Sequence, residues 1–273
     1  RFMRLAIDRN NTKWMCTRSD GLVGFNETAN PQFRRISEGE GNGNLPANRV
    51  QTVAIDKRNQ LWIGTREGLR VIGADRFLDP DSDLRSNPII IEEEGLAQEL
   101  LNDQWITDIV VDGANNKWIG TLDAGVFQVS ADGQQTLQRF TTDNSPLPSN
   151  EINDIDINSV TGEVFFATTG GLVSYRGNAI DASDDLRDVF VYPNPVRPNY
   201  TGTVKVSGLT DSANVKITDI TGSLVFEAIS TGGTIEWDTT AFGKYRVASG
   251  VYMIFISTED GAETTVKKVM IVR

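Results

Sequence analysis

Residues 53–69 of this 273-residue chain read VAIDKRNQLWIGTREGL, and they hold a unit that recurs along the sequence. A β-rich run ends in Asp56, a short polar turn follows, and a second run starts with Trp62. That run ends in Thr65, and Gly68 then leads into a third apolar run. Alternating side chains between turn residues are typical of short antiparallel strands. The segment therefore predicts three strands joined by two hairpins.

The unit occurs four times. The other copies are LAIDRNNTKWMCTRSDGL at 5–22, IVVDGANNKWIGTLDAGV at 109–126 and the longer DIDINSVTGEVFFATTGGL at 154–172. Their leading aromatic residues are spaced 48, 56 and 47 residues apart, at Trp14, Trp62, Trp118 and Phe165. A period of about 45–55 residues with several short strands is typical of propeller blades. The sequence predicts an all-β fold with four blades over residues 1–176, as the C-terminal part of a larger propeller, although closure by four blades alone stays open.

The repeated residues have structural roles in this interpretation. Tryptophan supplies a large apolar area for burial between blades, and Asp8, Asp56 and Asp112 can bond to the backbone of their own turns. We therefore interpret them as packing and turn residues rather than ligand contacts. The single cysteine, Cys16, lies in a predicted strand and is interpreted as a buried, unreactive thiol.

Composition excludes several classes of function. The net charge is −11, and residues 1–188 account for all of it, with 18 Lys and Arg against 29 Asp and Glu. An acidic surface repels phosphate backbones, so we expect no nucleic-acid partner. Histidine is absent, which excludes histidine-based catalysis and the common zinc sites. We expect no cofactor and no transmembrane segment, because no apolar run approaches the ~18 residues that a spanning helix needs.

An acidic insertion at residues 73–99 lengthens the spacing between the second and third blades. Asp79, Asp81 and Asp83 alternate as in a calcium-binding loop, and they are the metal candidates of the chain. However, Leu84 stands where such a loop has glycine, and Ile90 stands where it has glutamate. The departures favour a solvated acidic loop without metal.

A second domain follows the blades. Residues 177–188 are polar and predict a linker, and residues 189–273 contain about seven short alternating runs separated by turns. This pattern predicts an Ig-like β-sandwich. The chain does not begin with Met, and no repeat precedes the first strand, so we expect it to be a piece of a longer protein.

Two family resemblances follow from these motifs. The Asp-to-Leu run of residues 1–176 resembles the two-component regulator propeller repeat. The second domain resembles the type A C-terminal sorting domain of the type IX secretion system, which an outer-membrane translocon recognises. The residues that carry this second resemblance are Tyr192-Pro193-Asn194-Pro195, Asp219 and Gly222 of TDITG, Gly250-Val251-Tyr252 of SGVY, and Lys267 and Lys268 of the last strand.

The combination of the two resemblances implies an accessory component of the type IX attachment complex. Such a component is exported through the periplasm and stays at the cell surface, associated with the outer membrane. The implied partners are the sortase PorU, the outer-membrane proteins PorV and PorQ, and anionic lipopolysaccharide. Basic residues of the sandwich are the candidates for contact with lipopolysaccharide, although for any single one of them solubilising surface charge is the favoured explanation: Lys244, Arg246, Lys267, Lys268 and Arg273.

Two other functions stay open at this point. A secreted cargo enzyme, active on glycans through a segment outside this sequence, would carry the same domain as a cleavable sorting signal. A sensor ectodomain of a hybrid histidine kinase would carry the same repeat, but it would continue into a spanning helix rather than a sandwich. Because no carboxylate pair stands apart from the turn-forming acids, the sequence favours a binding protein without catalytic residues.

Overall fold

The computed structural model describes residues 2–93, 95–177 and 180–273. Asn178 and Ala179 of the predicted linker, and Glu94 of the acidic insertion, lie outside these residues. Contacts divide the chain into two compact units. One holds the repeats, and the other holds Arg176–Arg273 together with Asp112–Ala114 and Asn158–Glu163.

Each repeat forms one antiparallel sheet within the described residues. The first blade contains β1 (Phe2–Ile7), β2 (Lys13–Thr17), β3 (Leu22–Phe25) and β4 (Phe33–Ile36). The second contains β5 (Val50–Ile55), β6 (Gln60–Thr65) and β7 (Gly68–Gly73), and it is followed by a 3₁₀ turn (Ala74–Phe77) and a hairpin of β8 (Ile90–Glu93) and β9 (Leu96–Glu99). The third contains β10 (Ile106–Val111), β11 (Lys117–Thr121), β12 (Val126–Val129) and β13 (Thr136–Phe140). The fourth contains β14 (Ile152–Asn158), β15 (Glu163–Thr168) and β16 (Gly171–Arg176).

The repeated aspartate organises the first turn of the first two blades, as predicted. One oxygen of Asp56 accepts the backbone N–H groups of Arg58 and Gln60, both at 2.9 Å, and the other accepts Trp62 Nε1–H at 3.2 Å. Asp8 makes the equivalent bonds to its own turn and to Trp14. The aspartate thus fixes both the turn and the rotamer of the buried indole, and this explains the constant spacing of the two residues.

The threonine of the repeat organises the second turn. Thr65 Oγ1 donates to the Gly68 carbonyl at 2.9 Å and accepts the Glu67 N–H at 3.1 Å. Thr17, Thr121 and Thr168 donate to the corresponding glycine carbonyls in the other blades. Gly68 has φ of 129°, a value that side-chain-bearing residues rarely adopt.

Small residues in the second strand of a blade make room for the next blade. A Cβ atom at Gly64 would lie 2.6 Å from the Ile106 side chain, and one at Gly120 would lie 2.7 Å from Ile152. These isoleucines are the first residues of β10 and β14 and are fully buried. The second and third blades, and the third and fourth, therefore pack through an isoleucine that contacts a glycine.

The acidic insertion differs in part from the solvated loop expected. Ile90–Glu93 and Leu96–Glu99 pair as an antiparallel hairpin. The stretch before it is bound by Arg34, whose guanidinium donates to the carbonyls of Phe77, Asp79 and Ser82. The sequence motif missed Arg34 because this residue lies more than forty positions upstream.

The second unit consists of two facing sheets and a small hairpin. Its strands are β17 (Phe190–Tyr192), β18 (Val204–Ser207), β19 (Asn214–Thr218), β20 (Leu224–Ile229), β21 (Thr234–Trp237), β22 (Thr240–Ala241), β23 (Tyr245–Arg246), β24 (Gly250–Ser257) and β25 (Thr264–Ile271). The sheet orders are β17-β18-β21 and β20-β19-β24-β25, and β22 pairs with β23. Trp237 is fully buried between the sheets, with its ring 5.5 Å from that of Tyr252. The predicted all-β fold class is confirmed.

Candidate functional site

Residues Tyr192-Pro193-Asn194-Pro195, here called the opening motif, are hydrogen-bonded to β25, the last strand of the sandwich. Asn194 Nδ2 donates to the Lys268 carbonyl at 2.9 Å, and Asn194 Oδ1 accepts the Met270 N–H at 3.1 Å. The asparagine side chain thus bonds to the free edge of β25 as a neighbouring strand would. Val196 continues the pairing, because its N–H donates to the Met270 carbonyl and its carbonyl accepts the Val272 N–H. The opening motif and the last strand, which carries Lys267 and Lys268, therefore form one structural element.

The aromatic residue of the opening motif faces outwards. Tyr192 stacks on Phe190, with ring centroids 5.5 Å apart, and both side chains are exposed. Pro193 and Pro195 both follow cis peptide bonds. The motif therefore presents an aromatic pair at the edge strand β17, while its asparagine holds β25.

The Asp219 motif forms an exposed turn between β19 and β20. The Asp219 carboxylate accepts the N–H groups of Thr221 and Ser223 and the Thr221 hydroxyl. The Thr221 hydroxyl, followed by the Ser223 N–H, holds the pKa of Asp219 below its usual value. Gly222 adopts φ of 90° in this turn. The turn satisfies its own polar groups and requires no ligand.

The SGVY motif lies at the start of β24. Tyr252 belongs to the sandwich core, and its hydroxyl donates to the Ala248 carbonyl at 3.0 Å. Burial, followed by the charge of Asp219, raises the pKa of Tyr252. Gly250 is exposed and Val251 is half-buried, opposite Met270 of β25. Tyr252 of the motif thus contributes to the sandwich core, and all three residues take part in the pairing of β24 with β25.

The structure separates the five basic candidates into three places. Lys267 and Lys268 are neighbours on β25 and point to opposite faces of the sheet, so they do not form one patch. Lys244 and Arg246 are both exposed on the hairpin of β22 and β23. Arg273 lies at the base of that hairpin, where its guanidinium donates to Thr239 Oγ1 at 2.7 Å. Only Lys244 and Arg246 form a common basic surface.

The metal candidates do not converge in the structure. The carboxylate of Asp79 accepts the Asp81 N–H, and the Asp79 carbonyl is bound by Arg34. Within the described ranges, no group of three or more Asp, Glu or Cys side chains is arranged to hold a metal ion. Cys16 is fully buried, and burial raises the pKa of its thiol to about 12. A thiol with this pKa is unreactive at neutral pH.

The sequence did not indicate a polar network that joins the inner strands of the blades. Arg4 of β1 forms an ion pair with the buried Asp108 of β10 and donates to Asp154 of β14 at 3.1 Å. Thr52 of β5 donates to Asp108 at 3.1 Å. The four residues occupy equivalent positions in the four repeats. Each lies four residues before the turn residue that corresponds to Asp56, and all four are polar. An alignment of the repeats at this position would have revealed them.

The sequence analysis also missed two exposed aromatic residues. Phe242 and Tyr245 lie beside Lys244 and Arg246 on the hairpin of β22 and β23 and are 60% and 75% exposed. Neither belongs to a sorting motif, so motif comparison alone gives no reason to select them.

Comparison with known families agrees with this organisation. Residues 190–272 match the secretion system C-terminal sorting domain, and residues 44–67 match the two component regulator propeller. The chain thus resembles type IX secretion proteins in which a C-terminal sorting domain follows two-component regulator propeller repeats.

Within this class the chain is PorZ-like. Its whole length aligns with PorZ, a surface component of the type IX secretion system of Porphyromonas gingivalis, at 28% identity and a TM-score of 0.66. The chain covers 39% of PorZ. Histidine kinase P4 of Formosa agariphila is 24% identical over 165 residues, which are 60% of this chain and 11% of the kinase. Among the described residues, no helix has the length and apolar character needed to cross a membrane.

Proposed function

We propose that the chain is part of a cell-surface accessory component of the type IX attachment complex, and that its sandwich is a retained docking module. The observation that carries the proposal is the alignment with PorZ, which extends over both the blades and the sandwich. A cargo protein would share the sorting domain without sharing the blades. The proposed partners are the sortase PorU and the outer-membrane proteins PorV and PorQ.

The hydrogen bonds between the opening motif and β25 support docking through a folded domain. Asn194 and Val196 bond to β25, so the first and last segments of the sandwich are held side by side. A partner that binds there contacts the opening motif and the terminal strand together. The adjacent Tyr192 and Phe190 rings offer it an exposed apolar anchor, and aromatic residues often dominate the binding free energy of interfaces.

The proposed role is non-enzymatic and includes presentation of anionic lipopolysaccharide to the sortase. The repeated carboxylates support a role without catalysis, because Asp8 and Asp56 are occupied by bonds to their own turns. Lys268 is an exposed cation on the terminal strand and supports an anionic ligand. We expect Lys267→Glu with Lys268→Glu to weaken lipopolysaccharide binding, and unchanged binding would remove both residues from the proposed site.

The decisive experiment is intact-mass analysis of the full-length protein taken from the surface of its native host. The proposed function predicts a chain that still ends at Arg273 and that retains PorU in a pulldown. A mass that ends within residues 177–188, or that carries a lipopolysaccharide adduct there, would identify secreted cargo. The catalytic or binding function would then lie outside the sandwich.

A further inference from the structure

The hairpin of β22 and β23 has an unusual tip. The Lys244 N–H donates to the Ala241 carbonyl at 3.1 Å, which closes a tight turn around Phe242 and Gly243. Both central residues have positive φ, 49° at Phe242 and 69° at Gly243, as in a type I′ turn. Such turns strongly favour Asn-Gly or Asp-Gly, because a bulky residue in the left-handed region is strained. Phe242 is therefore the less stable choice at its position.

Packing does not compensate for the strain at Phe242. Its side chain is 60% exposed, and Tyr245, two residues after the glycine, is 75% exposed. A phenylalanine that is both strained and exposed is expected where its ring acts on a binding partner rather than on the fold.

The tip also carries concentrated positive charge. Lys244 and Arg246 flank Tyr245, both side chains are exposed, and neither forms an ion pair with another residue of the described ranges. Residues 189–273, which include the tip, hold eight basic and eight acidic residues and are neutral overall. Two cations without an ion pair in the described ranges therefore lie beside two exposed aromatic rings.

The framework holds the tip rigidly. The Phe242 N–H donates to the Val225 carbonyl of β20 at 2.9 Å, and the buried Trp237 donates its indole N–H to the Thr240 carbonyl at 2.8 Å. Arg273 donates to Thr239 at the base of the hairpin. A rigid tip loses little conformational entropy when it binds.

We infer that the tip formed by Phe242, Lys244, Tyr245 and Arg246, here termed the aromatic-basic tip, docks the protein on the phosphate-bearing surface of a lipid bilayer. Aromatic rings favour the boundary between headgroups and acyl chains, and lysine or arginine side chains bind anionic headgroups. Each cation near an anionic bilayer contributes about a fivefold increase in affinity. The inference rests on the surface location in the proposed function and adds the contact that holds the protein there.

The test is co-sedimentation of the full chain with vesicles of phosphatidylcholine, with and without phosphatidylglycerol, at low ionic strength. We expect binding to the anionic vesicles, and a loss of at least about fivefold in affinity for Phe242→Asn. Because Phe242→Asn restores the favoured Asn-Gly turn, we expect its melting temperature to rise by about 2–6 °C. Weaker binding by a more stable protein cannot result from unfolding.

Two further variants separate the contributions. Lys244→Gln with Arg246→Gln should reduce binding to anionic vesicles more than tenfold and leave binding to neutral vesicles unchanged. Val160→Asn removes another exposed apolar side chain, on a turn without the cations, and should bind as the wild type does. Equal binding by Phe242→Asn and the wild type would overturn the inference. The inference would also be overturned if the wild type bound lipopolysaccharide micelles but not phospholipid vesicles. Neither result bears on the intact-mass test of the proposed function, so failure of the inference and failure of the proposed function can be told apart.

Discussion

The side chain of Lys117 illustrates how one residue joins two blades. Its ammonium group donates to Asp56 Oδ2 at 2.9 Å, to the Asn115 carbonyl at 2.8 Å and to the Ala131 carbonyl at 2.7 Å. It also lies 4.4 Å from the centroid of the Trp62 ring. Both charged side chains are 0% exposed. A buried ion pair is stable only when such additional bonds satisfy it, and removal of one partner leaves an uncompensated charge.

We therefore expect Lys117→Met to destabilise the blades severely. Methionine has a similar length but leaves the Asp56 carboxylate buried without its cation. The expected loss is about 3–5 kcal/mol in the free energy of unfolding. Denaturant unfolding, followed by tryptophan fluorescence, measures it.

Lys13 provides the matched control because it also precedes the tryptophan of its repeat. Its ammonium group pairs with Glu27 at 3.0 Å, and the Glu27 side chain is 65% exposed. Lys13→Met should therefore cost less than about 1 kcal/mol. Equal losses for the two variants would contradict the assignment of Lys117 as a buried contact between blades.

The stability of the Lys117→Met variant should also depend on pH. Burial raises the pKa of Asp56, but the Gln60 N–H and the Lys117 ammonium together outweigh it and hold the pKa below its usual value. Stability from a lowered carboxyl pKa is present above the unfolded value of about 3.9 and is lost as the pH falls through the folded value. Lys117→Met raises the folded pKa, so its acid unfolding should begin at a higher pH than that of the wild type.

At the scale of elements, the blades depend on the fit between one strand and the next blade. Gly64 of β6 faces the buried Ile106 at the start of β10. In the first blade Cys16 takes the place of the glycine, and the following inner strand begins with the smaller Val50. The sizes are complementary, which is expected where interiors are packed as densely as crystals.

Gly64→Ala should therefore destabilise the protein. The new Cβ would approach the side chains of Ile106 and Thr52 to 2.6 Å, and overpacking of this kind costs about 1–3 kcal/mol. Gly73→Ala is the control, since its Cβ would have no neighbour within 4 Å and its φ of −67° suits alanine. Thermal unfolding compares the two, and a Gly64→Ala variant as stable as Gly73→Ala would show that the strand has room to shift.

The repeats show which features sequence analysis can recover. Asp56, Trp62 and Thr65 act within one hairpin, so their residue types and spacing recur and can be predicted. Lys117 and Lys13 precede equivalent tryptophans, yet the first is fully buried between blades and the second is partly exposed. Their difference depends on contacts with distant residues, which a local motif does not contain. The motifs do not predict a role for Phe242 for the same reason. What distinguishes this residue is its positive φ and its exposed side chain, and neither can be read from a local motif.

At the scale of the whole molecule, the two units differ in charge and in how their ends are secured. The negative charge belongs to residues 1–188, whereas residues 189–273 hold eight basic and eight acidic residues and are neutral. The sandwich also holds its first and last segments together, through Asn194 and Val196 on β25. These bonds cover part of the free edge of β25, and exposed strand edges otherwise pair non-specifically.

Asn194→Ala tests this function of the opening motif in the complete chain. The variant loses the bonds to the Lys268 carbonyl and the Met270 N–H, and the expected cost is about 1–3 kcal/mol locally. Hydrogen exchange should then accelerate at Met270 and along residues 264–273, while the blades remain protected. Asn199→Ala, at an exposed position in the same connection, should exchange as the wild type does. If the terminal strand kept its protection in Asn194→Ala, the Val196 backbone bonds alone would be sufficient to hold it, and the proposed role of the asparagine side chain would be wrong.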